Sequence, residues 1–322
     1  MLVEPIRREL HLLSYRMLGS FHDAEDVLQD AQLKAWRGLN AYDGRASFRT
    51  WMFKVVMNTS LDALRTRRRR VLPQDIGSAR EPAQGLGEQR LDIAWLEPYP
   101  DSLLPITSPD AAAELRESVR LAFVRALQIL PPRQRAVLIM RDVLDWTASE
   151  VADALGTSVA AVNSALQRAR ATAAPLAGKE RTAHIEGARA LDAQQAEIAA
   201  RYVQAWEAGD IDAVVSMLTA DAVHAMPPWA AWFAGPEALR VLYAGYDIWH
   251  GRPRPGVFRI LPTVLNGELA FAEYGRERPD RPYTPLAFTI VTLNADGTRV
   301  SEKVSFVQPD LLVRSGFPPS LE

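Results

Sequence analysis

The stretch that decides the fold runs from Leu130 to Ala171 and reads LPPRQRAVLIMRDVLDWTASEVADALGTSVAAVNSALQRARA. Thr147 is followed three residues later by Glu150, which is the spacing of a capping box, so a short helix is expected to begin there. Gly156 can adopt the left-handed conformation that ends such a helix. Ser158 then caps a second helix that continues to about Ala171. Two helices joined by a tight glycine turn, behind a packing helix, predict a helix–turn–helix.

The second of these helices has two different faces. Apolar side chains recur at helical spacing and are expected to face inward: Val159, Val162, Leu166 and Ala169. The outer face is small and polar: Ala160, Ala161, Ser164, Gln167 and Arg168. Such a helix can lie deep in a major groove, where glutamine and arginine reach base edges. The pattern favours DNA reading over an ordinary helix pair with a solvated polar face, but it does not identify the class of DNA-binding protein.

The composition narrows the class of protein. A chain of 322 residues can form two or three domains. It contains no cysteine, which excludes disulfides and thiolate metal sites and fits a reducing cytosol. Charged residues such as Glu4 and Arg7 argue against a signal peptide, and no apolar run is long enough to span a membrane. We therefore expect a cytoplasmic protein without a membrane partner, a metal site or a cofactor.

The net charge of −2 conceals four segments of alternating sign. Residues 1–70 carry a net charge of +5 and residues 111–181 a net charge of +3, whereas residues 71–110 and 182–322 each carry −5. Affinity for phosphates depends on local positive charge and not on the total. The division therefore predicts two separate nucleic-acid contacts and a C-terminal part that contacts no nucleic acid.

The N-terminal basic segment is predicted to be helical. Its apolar pattern breaks at Gly19, and a second helix is expected to begin at Asp23. After a loop over residues 40–46, a long helix is expected from Ser47 to about Arg69, with aromatic residues near its start and an arginine run at its end. Rings beside cations are typical of single-stranded DNA binding, because bases stack on rings while cations follow the phosphates. The alternative, core aromatics and a solvated helix end, stays open from this stretch alone.

Two blocks, taken in order, resemble the sigma-70-type initiation factors of RNA polymerase. The runs DAEDVLQD at residues 23–30 and DGRASFRTWMFKVVMN at residues 43–58 resemble their region 2. The stretch from Leu130 to Arg170 resembles their region 4. The order, the spacing and the absence of a region 3 are similar to those of the extracytoplasmic-function group, and the resemblance covers residues 1–175.

The resemblance implies three contact surfaces. The face that docks on the polymerase core would consist of Asp26, Gln29, Asp30 and Leu33. The surface that handles the melted −10 element would consist of Asp43, Arg45, Phe48, Trp51, Asn58, Asp62 and Arg65. The helix that reads the −35 element would present Ser158, Ala160, Ala161, Ser164, Gln167 and Arg168. The implied partners are the bacterial polymerase core, through its β′ clamp helices and β flap, and promoter DNA.

A grip at two points also agrees with the physical chemistry. The contacts that hold the unpaired bases have to offset an unstacking cost of roughly a few kcal/mol per base. Each contact alone would bind weakly, and a tether gives the second contact a high effective concentration. Asn163 and Ala165 depart from the family pattern, because many relatives carry lysine or arginine there. Weaker phosphate contact by this helix is therefore expected.

The acidic segment over residues 71–110 is predicted to be a linker. It holds six prolines and three glycines, so regular structure is not expected in it. Trp95, Leu96 and Tyr99 form an apolar group that a pure spacer would not need, and we expect them to cover a nearby hydrophobic surface of the same chain. The alternative, implied by the sigma-factor resemblance, is that the linker enters the active-site cleft of the polymerase. A single helix over residues 111–130 then leads into the helix–turn–helix domain.

From Leu191 onward the pattern changes to helices followed by strands. A helix is expected over residues 191–208, and Asp210 caps a shorter one that runs to Leu218. Five strand-like runs are expected at residues 222–226, 257–265, 268–275, 286–294 and 298–307. A helix over residues 236–245 is expected between the first two of them. Asn266-Gly267 is a strong hairpin turn. The order suggests an α+β cone with a curved antiparallel sheet, and residues 205–242 resemble SnoaL-like members of the NTF2-like superfamily.

The cone offers candidate pocket residues but no catalytic pattern. The candidate pocket walls are Tyr202, Trp206, His224, Trp229, Trp232, Asp247 and Tyr274. The available acid–base groups are Asp221, His224, Asp247, His250 and Glu273. General acid–base chemistry needs such a group in the pocket with a matched pKa, and no pair has a spacing that demands it. We therefore expect that the cone has a purely structural packing role or binds an unknown small ligand, and that it is not an enzyme.

The sequence thus predicts a multidomain protein with two all-α helical domains, sigma region 2 and the region 4 helix–turn–helix, followed by an α+β NTF2-like cone. The expected boundaries are region 2 over residues 1–70, the linker over 71–110, region 4 over 111–175, a connector over 176–190 and the SnoaL-like domain over 191–322. The expected function is that of an alternative sigma factor whose C-terminal domain packs on the linker or the sigma domains and regulates it in cis. The alternatives are a helix–turn–helix regulator with a ligand-sensing cone and an NTF2-like enzyme with an appended DNA-binding domain.

Overall fold

The computed structural model describes residues 3–106, 108–177, 193–245 and 254–322. The chain divides into two compact units. The helical unit comprises residues 1–70 and 103–181, and the sheet unit comprises residues 71–102 and 182–322. The predicted linker is therefore not a free spacer, because most of it belongs to the same compact unit as the C-terminal residues.

The first part of the helical unit contains three α-helices: α1 (Arg7–Leu18), α2 (Phe21–Gly38) and α3 (Phe48–Ala63). The hydroxyl of Ser20 accepts a hydrogen bond from the backbone N–H of Asp23 at 3.0 Å, so Ser20 is the N-cap of α2. The predicted start of this helix at Asp23 is wrong, because the capping hydroxyl lies three residues earlier.

The arginine run lies beyond α3 and not on it. The helix ends at Ala63, so its predicted continuation to about Arg69 is wrong. Arg67 and Arg70 turn back toward the start of α2, where their guanidinium groups lie 3.2 Å and 2.5 Å from the carboxylate of Asp23. These ion pairs stabilise a non-helical path for the run.

The second part of the helical unit contains five α-helices and one π-helical turn at Ile139–Val143. The helices are α4 (Pro109–Glu117), α5 (Leu121–Ile129), α6 (Pro132–Leu138), α7 (Ala148–Leu155) and α8 (Val159–Ala177). The single helix predicted over residues 111–130 is wrong, since the chain turns between α4 and α5. Val119 is fully buried in this turn, and packing of its side chain favours the break over a continuous helix.

The helix–turn–helix prediction is confirmed. Glu150 N–H donates to the hydroxyl of Thr147 at 3.2 Å, and the Glu150 carboxylate accepts from Thr147 N–H at 2.7 Å, which completes the capping box of α7. Gly156 follows with φ 60°, a conformation that favours glycine. The hydroxyl of Ser158 accepts from Ala161 N–H at 3.2 Å at the start of α8.

The sheet unit is built on one six-stranded sheet with the strand order β2-β1-β6-β5-β4-β3. The strands are β1 (Leu218–Ala225), β2 (Trp232–Ala234), β3 (Phe258–Leu265), β4 (Glu268–Gly275), β5 (Thr284–Leu293) and β6 (Val300–Phe306). The helices are α9 (Ala193–Ala208), α10 (Ile211–Ser216), α11 (Pro236–Gly245) and α12 (Pro309–Arg314). Apolar side chains of α9, α10 and α11 share a core with the inner face of the sheet.

The sheet is mixed and not wholly antiparallel as predicted. β1 pairs with β6 in parallel, while the other neighbours are antiparallel. This pairing joins strands that are far apart in the chain, so no turn sequence between them indicates it. β2 has only three residues and was not predicted, because an alternating pattern cannot be recognised over so short a run. The hairpin turn at Asn266-Gly267 is confirmed, with φ values of 54° and 69° between β3 and β4.

Candidate functional site

The predicted −35 reading face of α8 is exposed. The side chains of Ser158, Ala160, Ala161, Ser164, Gln167 and Arg168 all lie on the surface of the helical unit. Val162, Leu166 and Ala169 are buried beneath them, as the apolar spacing predicted. Val159, which was also expected to face inward, is 43% exposed, because it is the first residue of the helix and precedes the turn that packs on α7.

Arginines near the end of α8 have different surroundings. Arg170 forms two hydrogen bonds to the carboxylate of Asp142, at 2.7 Å and 2.9 Å, which tie α8 to the π-helical turn. Arg168 is exposed one residue before the buried Ala169 and forms no ion pair with the residues that the structure describes. Its guanidinium is therefore available for a partner, whereas that of Arg170 is already engaged.

The predicted polymerase-docking face of α2 is also exposed. Asp26, Gln29, Asp30 and Leu33 lie on the surface, and Leu33 is 57% exposed. Trp36 lies one turn further along α2 and is 78% exposed. The sequence pattern had not assigned it, although a tryptophan three residues after an outward-facing leucine is a usable signal. A large apolar patch at the end of an acidic helix face is a typical protein-docking surface.

The predicted −10 surface contains an aromatic group at the start of α3. The Trp51 ring lies 5.1 Å from the ring of Tyr42 and 5.8 Å from that of Phe48, measured between centroids. Tyr42 was not predicted as a site residue, and its hydroxyl donates to Ala46 O at 2.6 Å, which closes the loop before α3. All three rings are half-buried, so part of each remains open to a stacking base.

The other residues predicted for the −10 surface lie around this aromatic group or along α3. Asp43 accepts from the backbone N–H of Arg45 at 3.1 Å, and both side chains are exposed in the loop. Asn58 and Asp62 lie exposed about two and three turns beyond Trp51. The carboxylate of Asp62 lies 3.3 Å from Lys34 and 3.5 Å from Arg65, so these members of the set lie together at the far end of the helix.

The two helical parts share one core within the helical unit. Buried side chains of α1, α2 and α3 belong to the same apolar cluster as those of α5, α6, α7 and α8. The ring of Phe53 on α3 lies 6.4 Å from that of Trp146, just before α7. The structure therefore shows the two predicted all-α domains packed as one unit.

Two buried arginines connect the two helical parts. Arg135 of α6 donates to the carbonyl oxygen of Met17 at the end of α1, and also to Gln128 O at 3.0 Å and Leu130 O at 3.2 Å. Burial lowers the pKa of its guanidinium to about 10, so the group stays charged at neutral pH. Arg16 of α1 donates to Ser118 O at 3.3 Å. Hydrogen bonds from buried cations make this packing specific, because an unmatched geometry would leave the charges unpaired.

The linker forms a closed loop within the sheet unit. Val71 N–H donates to Ala94 O at 3.0 Å, and Leu96 N–H donates to Val71 O at 3.0 Å, so the two ends of residues 71–96 are joined. Trp95 is 4% exposed, and its indole N–H donates to Arg90 O at 2.9 Å. Leu96 is fully buried. The expectation that these apolar side chains cover a surface of the same chain agrees with their burial here.

Tyr99 of the linker is held by the β3–β4 hairpin. Its backbone N–H donates to the side-chain oxygen of Asn266 at 2.8 Å, and its carbonyl oxygen accepts from Asn266 N–H at 2.8 Å. The adjacent Gly267 N–H donates to the carboxylate of Asp101 at 2.8 Å. Tyr99 and Asn266 are both fully buried. The hairpin turn therefore recognises the linker through backbone and side-chain groups at once.

Two tryptophans that were predicted as pocket walls contact the linker. The indole N–H of Trp232 donates to Gly77 O at 2.9 Å, and its carbonyl oxygen accepts from Arg80 N–H at 2.8 Å. Trp229 forms a β-bridge with Gln89. No local pattern beside β2 indicates these contacts, and the place of the two tryptophans in a pocket wall stays a prediction.

Inside the sheet unit, three of the predicted pocket residues do come together. Tyr202 and Trp206 of α9 and His224 of β1 are buried, and they surround polar groups that were not predicted with them: Tyr243, Lys303, Ser305 and Thr289. The hydroxyl of Tyr202 donates to the carboxylate of Glu273 at 3.2 Å. Burial raises the pKa of Tyr202 and lowers that of His224 well below its usual value, so both groups are neutral at neutral pH.

Tyr274 and Asp221, two other candidate residues, are not part of this cluster. Tyr274 is buried, but it follows Glu273 on β4 and its hydroxyl donates to Pro318 O at 2.9 Å, away from the cluster. Asp221 is exposed on β1. Asp247 and His250 lie outside the described residues. In the part of the chain that the structure describes, no three His, Asp or Glu side chains are grouped as metal ligands, and no helix has the length and apolarity needed to cross a membrane.

Comparisons with known proteins agree with this division. Residues 2–70 match the family model for sigma-70 region 2, residues 120–172 match that for sigma-70 region 4, and residues 199–303 match that for the SnoaL-like domain. The chain is 42% identical over 319 residues to the ECF RNA polymerase sigma factor SigG of Mycobacterium tuberculosis, which covers 99% of this chain and 83% of that protein.

A second relative matches in sequence and in fold. The ECF RNA polymerase sigma factor SigJ of Mycobacterium tuberculosis is 33% identical over 318 residues, which is 95% of this chain and 91% of that protein. The fold also matches the crystal structure of SigJ, with a TM-score of 0.59 and 24% identity in the structural alignment. The alignment covers 98% of this chain and 97% of the SigJ chain. The predicted fold class, two helical sigma domains followed by an α+β NTF2-like domain, is confirmed. The chain belongs to the family of extracytoplasmic-function RNA polymerase sigma factors.

Proposed function

We propose that this sigma factor grips a promoter at two points and that its C-terminal domain controls the grip by holding the linker. The observation that carries the proposal is the capture of the linker, in which Val71 is bonded to Leu96 and Tyr99 is bonded to Asn266. The relatives that match along the whole chain are named sigma factors, and we assign no catalytic role to the sheet unit. It would act in the cytoplasm, where the polymerase works.

Each exposed surface has a role in this proposal. The α2 face that includes Leu33 and Trp36 would dock on the clamp helices of the polymerase β′ subunit. The aromatic group around Trp51 would stack with unpaired bases of the −10 element. The outer face of α8 would enter the major groove of the −35 element, where Gln167 and Arg168 reach base edges. The β flap would bind the region 4 domain.

In the described packing of the helical unit, the two DNA-reading faces are too close together to contact both promoter elements. The two promoter elements lie roughly 20 base pairs apart, which is about 70 Å of duplex at ~3.4 Å per base pair. Helices that share one core, with Phe53 packed beside Trp146, cannot place their DNA-reading faces so far apart. We therefore infer that α1–α3 and α5–α8 separate when the promoter is bound.

Capture of the linker opposes this separation. The chain passes from the first helical part into the sheet unit at Val71. It leaves the sheet unit after Ser102 and continues into the second helical part. Only about six residues then precede α4, and a chain of that length spans at most ~20 Å when fully extended. The loop over residues 71–96 adds no reach while its ends are bonded. The C-terminal domain would therefore be inhibitory in cis until the linker is released.

An insertion experiment tests this control. A flexible Gly/Ser segment inserted after Ile106 would lengthen the connection without disturbing the captured linker, and we expect promoter-dependent transcription with core polymerase to rise. The same segment inserted after Leu91, which is 79% exposed inside the closed loop, is the matched control and should leave transcription unchanged. Equal transcription by both insertion variants and the original chain would contradict control through the linker.

A further inference from the structure

The turn that holds the linker is also a chemically reactive sequence. Asn266-Gly267 is the one Asn-Gly pair in the chain. Glycine has no side chain to obstruct its own backbone nitrogen, so in a flexible segment that nitrogen readily attacks the side-chain amide of the preceding asparagine. Asparagine counts among the thermolabile residues of proteins because of such reactions. The pair that favours the hairpin therefore also favours deamidation.

Deamidation of this pair needs no reactant other than water. The backbone nitrogen of Gly267 gives its proton to hydroxide and bonds to Cγ of Asn266. The Cγ–Nδ2 bond then breaks, and its electron pair leaves on the nitrogen, which takes up a proton and departs as ammonia. Water opens the resulting succinimide ring at one of its two carbonyl carbons. Opening at Cγ gives aspartate, and opening at the backbone carbonyl carbon gives isoaspartate, in which the main chain passes through Cβ and Cγ.

Capture of the linker engages the groups that this reaction uses. The side-chain oxygen of Asn266 accepts from Tyr99 N–H, and Gly267 N–H donates to the carboxylate of Asp101, both at 2.8 Å. Ring closure would break both hydrogen bonds, because it moves the side chain of Asn266 and removes the proton of Gly267. The negative charge of Asp101 also opposes an amide anion beside it. The captured turn is therefore held in an unreactive state.

Burial of the turn adds to this protection. Asn266 is fully buried, and Asp101 is 9% exposed. Hydroxide and water, which start and finish the reaction, reach Asn266 when the linker moves away. A reaction that proceeds through an open state has a rate that follows the population of that state. The rate of deamidation at Asn266 therefore depends on how often the linker is released.

We propose that Asn266 is a site of spontaneous deamidation that reacts when the linker is released, and that isoaspartate at this position prevents recapture. Isoaspartate lengthens the main chain of the turn by a methylene carbon, and the pairing register of a hairpin is fixed by the length and geometry of its turn. The backbone groups of residue 266 would no longer meet those of Tyr99. This inference rests on the proposed control through the linker, and it makes release irreversible in chains that have reacted.

The test follows deamidation in the full chain by mass spectrometry. The original chain and Tyr99→Ala are incubated in a mildly alkaline buffer, and peptides that contain residue 266 are quantified as asparagine, aspartate and isoaspartate. Tyr99→Ala removes a fully buried side chain of the linker, so its linker should open more often. We expect Asn266 to deamidate at least about tenfold faster in this variant than in the original chain.

Two variants complete this comparison. Tyr274→Ala is the matched control, because it makes the same truncation at a fully buried site at the other end of the β3–β4 hairpin. Its rate should stay close to that of the original chain. Leu96→Ala removes a smaller buried side chain of the linker and should also accelerate the reaction, which keeps the test open if Tyr99→Ala does not fold.

Recapture is measured on the original chain after deamidation in urea and refolding, with a sample held only briefly in urea as the refolding control. The fraction of chains that lose hydrogen-exchange protection at Tyr99 should equal the fraction with isoaspartate, since aspartate keeps the native path of the main chain. The proposal is overturned if neither linker variant deamidates faster than the original chain, if Tyr274→Ala reacts as fast as Tyr99→Ala, or if isoaspartate chains keep full protection at Tyr99.

These measurements record mass and hydrogen exchange and not transcription, so they separate this site from the proposed control. Faster deamidation in the linker variants, together with transcription that does not respond to the insertions after Ile106 and Leu91, would remove the control and leave the modification site. Equal deamidation rates, together with the expected response to the insertions, would remove the modification site alone.

Discussion

Replacing Asn266 by glycine should loosen the linker from the hairpin. The side-chain oxygen of Asn266 accepts the buried N–H of Tyr99 at 2.8 Å, and the residue has φ 54°. Glycine adopts that conformation without steric cost, whereas alanine would add backbone strain. Asn266→Gly therefore removes the hydrogen bond and leaves the turn intact.

The size of the effect follows from the group that is left behind. The N–H of Tyr99 would stay buried without an acceptor, which costs about 1–3 kcal/mol. The bond from Asn266 N–H to Tyr99 O remains, so the linker should still dock. Since about 1.4 kcal/mol corresponds to a factor of ten, local opening of the linker should become roughly 5 to 150 times more frequent.

Hydrogen exchange measures this opening directly. In the full chain, peptides that span Tyr99 should lose protection by that factor, while peptides of α8 should exchange as before. Asn266→Asp is the matched control, because an aspartate keeps an acceptor oxygen and also tolerates a positive φ. Unchanged protection at Tyr99 in Asn266→Gly would refute the assigned role of this hydrogen bond.

Four further changes test other surfaces. Trp36→Ala should weaken binding to core polymerase at least tenfold in a pull-down titration while changing the free energy of unfolding by no more than about 0.5 kcal/mol, because the ring is 78% exposed. Arg168→Ala should lower promoter-dependent transcription about tenfold and leave polymerase binding intact, as expected for the loss of a base contact. Arg135→Met should lower the free energy of unfolding in urea by about 3 kcal/mol, because it leaves several buried carbonyl oxygens unpaired. Burial lowers the pKa of His11 to about 4, below its value of 6.5 in the unfolded chain. The stability that the neutral His11 contributes is therefore full above pH 6.5 and is lost as the pH falls toward 4. His11→Gln should flatten this part of the profile of urea stability against pH.

Local chemistry predicted the elements that are set by a few neighbouring residues. The capping box of Thr147 and Glu150 placed α7, because both hydrogen bonds are formed within one turn. The Asn266-Gly267 pair placed the β3–β4 hairpin, because both residues adopt positive φ readily. Helical spacing also assigned Gln167 to the exposed face of α8 correctly.

Features that depend on distant segments could not be predicted in the same way. The parallel pairing of β1 with β6 and the docking of Trp232 against the linker join residues that no local pattern relates. The place of Lys303 among buried rings was not predicted, because an inward lysine within a strand has the same alternation as its neighbours. Tyr42 was missed because its role comes from packing against rings on the following helix.

The captured linker has a further consequence for the solubility of the sheet unit. β2 and β3 are the two outer strands of the sheet, and such strands can pair with other chains and aggregate. The linker bonds to both, through Arg80 to Trp232 on β2 and through a bridge of Pro100 to Leu265 on β3. It therefore covers a part of each edge of one sheet. A C-terminal fragment that lacks residues 71–102 should expose these edges and precipitate, whereas one that is refolded with a peptide of those residues should stay monomeric.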